Sequence, residues 1–115
     1  MKTGIELITE ERLRQIDKEG WSEEHDDNEH SCGGLLMAAI AYAEHVRVRG
    51  WNILTPPHTV NKKDAARFYM QINAPANWPW ARKWWKPKSP IRDLVKSGAL
   101  IAAEIDRLQR ESERA

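Results

Sequence analysis

The twelve residues LLMAAIAYAEHV, at positions 35 to 46, constrain this chain more than any other stretch, because they are apolar almost all the way round a helical projection. A helix lying on a surface shows one apolar stripe and one polar face; one that is apolar on every side has to be enclosed by other helices. The segment therefore predicts a helix from about Gly34 to Arg47 or Arg49 at the centre of a bundle. Its alanines, Ala38, Ala39, Ala41 and Ala43, leave room for neighbouring helices to approach closely. With 115 residues in all, the chain can bury one such core but not two, so a single domain over 1–115 is expected.

Partners for the central helix can be read on both sides of it. The run TGIE at 3–6 has the form of a capping box, in which Thr3 accepts from the third helical amide and Glu6 reaches back. From there Ile5, Ile8, Leu13 and Ile16 approximate an apolar face, and Gly20 can supply a left-handed terminating residue. After Gly50, the sequence WNILTPPHT cannot continue a helix, since Pro56 and Pro57 remove donors and restrict the residues before them. Asn61 is a reasonable cap for a short helix over about Lys62 to Ile72, burying Phe68, Met70 or Ile72. The clearest element is the last. Ser89 caps it, Pro90 takes the first helical position, and Ile91, Leu94, Val95, Gly98, Ile101, Ala102, Ile105 and Leu108 recur at spacings of three and four. A frayed tail is expected over about 111–115. No strand-like alternation appears, so the fold class is all-α, a compact bundle of three or four helices with two long ordered loops.

Those two connections, at roughly 20–33 and 73–88, exceed the usual length of helix-bundle loops, about 2 to 8 residues, and long loops of this kind commonly carry function. The second contains WPWARKWWKPKSP at 78–90, with four tryptophans and four cations and no acid. Indole rings stack on nucleobases and neighbouring Lys or Arg groups pair with phosphate, so this composition suits a nucleotide or single-strand site. Trp80, Trp84, Trp85 and Trp21 are the candidates for stacking on a base. Arg82, Lys83, Lys86 and Arg92 are the candidates for holding phosphate. In competition with that reading, Trp78, Trp80 and Trp85 can serve only to staple the loop onto the helices while the cations remain in water.

The first connection, EEHDDNEH at 23–30, offers His25 and Asp27 to contact ribose or to order a cation. Magnesium is possible there, because a hard ion needs only one or two carboxylates together with phosphate oxygens, but the spacing matches no metal motif and no resident cofactor is expected. Ion pairing of Asp27 or Glu29 with the basic loop accounts for the same residues. A formal net charge of +1 excludes a general polyanion-binding field, and Cys32 as the sole cysteine excludes an intrachain disulfide. No apolar run approaches the roughly 18 to 20 residues that cross a bilayer. A cytoplasmic protein without a membrane partner is expected.

Over ERLRQIDKEGWSEEHDDNEH, GGLLMAAIAYA and WPWARKWWKPKSPIRDLVKSGALIAAEIDRL, the chain resembles a family of small proteins of tailed phages and prophages. The resemblance spans most of the sequence apart from about Val46 to Ala76. It implies an accessory phage protein at work in the host cell, against host defence or on nucleotide pools. The chain also resembles, more weakly, the MazG-like nucleotide pyrophosphohydrolases, all-α proteins that often open with a similar ERxRQ helix. Their metal site needs an EExxE set on one helix and an ExxD set on a later one. Here the central helix has no carboxylate before Glu44, leaving Asp93 and Glu104 on the last helix, so shape and a nucleotide pocket are implied more than hydrolysis. Three functions stay open: sequestration of a nucleotide or cyclic-nucleotide immune signal without hydrolysis, a pyrophosphohydrolase with an altered metal site, or an inhibitor that binds a host defence protein, such as an anti-CRISPR. A homo-oligomer is expected, since a pocket between subunits would serve the first two.

Overall fold

Thr3 starts the first helix as its capping box requires: its hydroxyl accepts from the Glu6 amide at 3.2 Å while the Glu6 carboxylate accepts from the Thr3 amide. In this computed structural model, which describes residues 1–20, 33–50, 62–70 and 73–114, four α-helices follow in order and no strand occurs among the described residues. They are α1 (Gly4–Glu19), α2 (Gly34–His45), α3 (Lys62–Met70) and α4 (Pro90–Arg114). Gly20 closes α1 in the left-handed conformation, at φ 71°. The end of α2 widens into a π-helical turn, Val46–Gly50. None of these helices is long and apolar enough to cross a membrane.

The fold is the all-α bundle expected, with α2 packed along α4 and α1 packed on the other flank of α4. Close approach is possible because Ala38, Ala39 and Ala41 of α2 share one buried cluster with Leu100 and Ala103 of α4, all essentially without solvent exposure. Ser97 adds a buried hydrogen bond across this seam, its hydroxyl donating to the Ala39 carbonyl at 2.8 Å. On the other flank, the space where Gly98 would carry a Cβ is filled by Ile8 of α1, with Ile8 Cδ1 2.5 Å from that point.

Three apolar patterns are placed differently from their sequence-based expectation. In α1, Ile5 and Leu13 are exposed, and the buried positions are Glu11 and Gln15. The reason is a polar contact: Glu11 sits against α4, where Arg92 joins Arg14 in binding it. In α4, the stripe of Ile91, Leu94, Ile101, Ile105 and Leu108 is about half exposed, while the face turned inward carries Asp93, Ser97, Glu104 and Arg107 beside its alanines. The alanines decide this: they allow α2 close to α4, whereas the bulky stripe would hold it away. In α3, Phe68 and Met70 are exposed and Tyr69 is the buried residue; Ile72 lies outside the described residues.

Candidate functional site

The aromatic loop, residues 73–89, is held at its central turn and at its C-terminal end by named groups. At its centre is a 3-10 turn, Arg82–Trp84, where the Trp84 and Trp85 amides donate to the Ala81 and Arg82 carbonyls at 3.0 Å. Trp78 folds back on this turn, its indole N–H donating to the Ala81 carbonyl at 3.1 Å. Tyr42 of α2 then anchors the exit of the turn, its hydroxyl accepting from the Lys86 amide at 3.2 Å. Burial pushes the Tyr42 hydroxyl up to about 12, so it remains a neutral phenol.

Asp93 secures the far end of the loop. It is wholly buried, and its carboxylate accepts from the Lys88 amide at 3.1 Å and from the Tyr69 hydroxyl at 2.5 Å, with Lys96 Nζ 3.8 Å away. One side chain thereby ties together α3, the loop and the first turn of α4. Ser89 caps that turn as expected, its hydroxyl accepting from the Arg92 amide at 3.2 Å.

The four tryptophans of the loop divide into interior and rim. Trp78 and Trp85 belong to the core; Trp85 is 8% exposed, stacked on Tyr42 at 4.8 Å between ring centroids and edge-on to His45. For these two rings the stapling role is the one observed, and Trp85 faces away from the recess described below. Trp80 is half-buried, its indole edge 3.1 Å from the place a Cβ would take on Gly34, so the missing side chain there lets the ring lie across the start of α2. Trp84 is 52% exposed, with Lys83 Nζ 5.2 Å and Lys86 Nζ 5.5 Å from its ring centroid.

Between this loop and the helices lies a recess of about 80 Å³. Tyr42, Trp78, Trp80 and Trp84 supply its aromatic lining, and Lys86 and Lys96 its cations. The remaining wall is the C-terminal half of α1, through Glu11, Gln15 and Glu19. Lys96 Nζ donates to the Lys86 carbonyl at 2.7 Å and lies 5.2 Å from the Tyr42 ring centroid; burial lowers its pKa against the opposing pull of Asp93. Burial alone would raise the Glu11 pKa, but hydrogen bonds from Arg14 and Arg92 outweigh it and keep the carboxyl below its ordinary value. A second depression, about 190 Å³, lies beyond Trp85 and is lined by His45, Val48, Arg49 and Asn77 among others. It lacks the clustering of exposed ring, cations and acceptors found in the first.

Of the sequence-predicted residues, Trp80, Trp84 and Lys86 line the recess, and Lys83 sits at its mouth over Trp84. Arg82 is exposed on the 3-10 turn. Arg92 bonds to Glu11 behind the recess wall. Trp21, His25 and Asp27, together with Glu29 and Cys32, lie outside the described residues. Sequence reasoning missed Gln15, Tyr42 and Lys96. Tyr42 and Lys96 sit within helical patterns that look purely structural, and Gln15 is a polar residue on what reads as a solvated face.

The carboxylates left as metal candidates are each engaged elsewhere. Asp93 is bonded as above, Glu104 pairs with Arg107 at 2.5 Å, and Glu44 pairs with Arg47 on the surface. Among the described residues no group of three or more His, Cys, Asp or Glu side chains is placed to hold a metal ion. His45 is buried, with Nε2 3.0 Å from the Tyr69 carbonyl. No protein-family model, no curated protein and no solved structure matches the chain.

Proposed function

We propose that the protein binds a nucleotide or nucleotide-derived signal in the recess beneath the aromatic loop and holds it intact. The observation that supports this reading most is Trp84: a ring half open to solvent at the mouth of a recess, with Lys83 and Lys86 on it and Lys96 inside. A base stacked on such a ring gains about 1 to 3 kcal/mol, and the lysines would meet its phosphates. Binding is favoured over hydrolysis because Asp93 and Glu104, which would have to serve a metal, are already committed to Tyr69, Lys88 and Arg107. The resemblance to phage proteins makes sequestration of an immune signal in the host cytoplasm the natural setting.

To test this, the purified protein is incubated with linear and cyclic nucleotides and magnesium, and free ligand is measured before and after heat denaturation. Depletion followed by return of the same compound is expected. New products would instead favour a pyrophosphohydrolase, and no depletion of any nucleotide would favour the remaining reading, in which Trp84 and its lysines form a contact for a host defence protein. Trp84→Ala should weaken uptake by about 5- to 150-fold, corresponding to the loss of one base stack, with helicity unchanged.

A further inference from the structure

Gln15, which lines the recess, has one polar atom whose bonding is incomplete. Gln15 is 3% exposed, and its amide nitrogen donates to Glu11 Oε2 at 3.3 Å, while its Oε1 has no hydrogen-bond partner among the described residues. The orientation of the amide is fixed by chemistry. Glu11 is a carboxylate held ionised by Arg14 and Arg92, so it only accepts, and the NH2 end must face it. A buried acceptor left without a donor is costly, typically about 1 to 3 kcal/mol, and such a group in a native structure calls for an explanation.

We infer that Gln15 Oε1 reads the exocyclic amino group of a nucleobase inserted between the aromatic walls of the recess. This rests on the nucleotide reading above and narrows it to amino-bearing bases. An organic cation is the other guest that an aromatic-lined pocket takes, but two ring faces already carry the protein's own ammonium groups, Lys86 on Trp84 and Lys96 on Tyr42. A second cation there would meet like charge. A neutral ring with an anionic tail satisfies both sets of groups: the rings and Gln15 take the base, the lysines the phosphate. The recess has room for on the order of five or six waters, and a flat heterocycle entering edge-first would displace them.

Three pairs of nucleotides that differ only by the amino group test this by quenching of tryptophan fluorescence: AMP against purine riboside 5′-monophosphate, GMP against IMP, and CMP against its pyrimidin-2-one analogue. At least one amino-bearing member should bind about tenfold or more tightly than its partner, and Gln15→Met should bring the two together. Equal binding within every pair by the wild-type protein overturns the role of Gln15 while leaving nucleotide binding intact. A preference that persists in Gln15→Met also overturns it. Failure of all six to bind overturns the role of Gln15, and no depletion in the wider panel of linear and cyclic nucleotides overturns the nucleotide reading as well.

Discussion

Removing the Asp93 carboxylate should weaken the whole fold, and its size can be worked from the bonds it makes. The carboxylate is 0% exposed and accepts from two donors, the Tyr69 hydroxyl at 2.5 Å and the Lys88 amide at 3.1 Å, with the half-buried Lys96 ammonium nearby. Hydrogen bonds to a charged group contribute about 1.5 to 3 kcal/mol each, and truncating one member of a buried charged set costs about 3 to 5 kcal/mol because its partners stay buried. Asp93→Ala should therefore cost about 3 to 5 kcal/mol, a large part of the about 5 to 15 kcal/mol that keeps a domain folded. In a chain of this size that lowers Tm by roughly 10 to 25 °C. Asp93→Asn, which keeps an acceptor but loses the charge, should fall between this and the wild type. Urea unfolding followed by circular dichroism measures both. A loss below about 1 kcal/mol for Asp93→Ala would show that Asp93 does not tie α3, the loop and α4 together.

Further expectations concern other contacts. Burial holds the His45 pKa below 6.5, against the raising effect of the Tyr69 carbonyl, so the unfolded chain takes up a proton that the folded chain refuses; stability should fall as pH drops below 6.5, and His45→Gln should flatten that slope. Glu11, with its pKa held below 4.5, contributes stability that is present above 4.5 and lost as pH falls through the lowered value, a step that Glu11→Gln should remove from the acid unfolding curve. Gly98→Ala improves helix propensity by about 1 kcal/mol but drives its methyl against Cδ1 and Cγ1 of Ile8, so a net loss of about 1 kcal/mol is expected in thermal melts, reduced when Ile8→Val removes the Cδ1 contact. Lys83→Ala/Lys86→Ala should leave Tm within about 2 °C and reduce the salt dependence of nucleotide uptake, since both ammonium groups are exposed.

Local chemistry made several elements readable. The Thr3–Glu6 box, the Gly20 terminator and the Ser89–Pro90 start each act within four residues, so spacing alone predicts them. The alanines of α2 likewise announce a close neighbour. What periodicity could not supply is which side of an amphipathic helix turns inward when the inward side is polar. Glu11 is buried by its contact with Arg92, 81 positions away in sequence, and the apolar stripe of α4 faces out because small residues behind it suit α2 better. The same limit applies to the site. The WPWARKWWKPKSP loop identified the surface, but its composition gives four equivalent indoles, and only the hydrogen bonds to Ala81, Tyr42 and Asp93 assign Trp78 and Trp85 to the core and Trp84 to the rim.

The measurement that bears most directly on the recess is a 1H–15N spectrum of the indole N–H groups during titration with whichever nucleotide the protein takes up. The Trp80 and Trp84 signals should move with ligand and saturate together, while that of Trp85, which lies in the core and faces away from the recess, should move little. Uptake that leaves Trp80 and Trp84 in place would put the ligand elsewhere on the molecule and contradict the account.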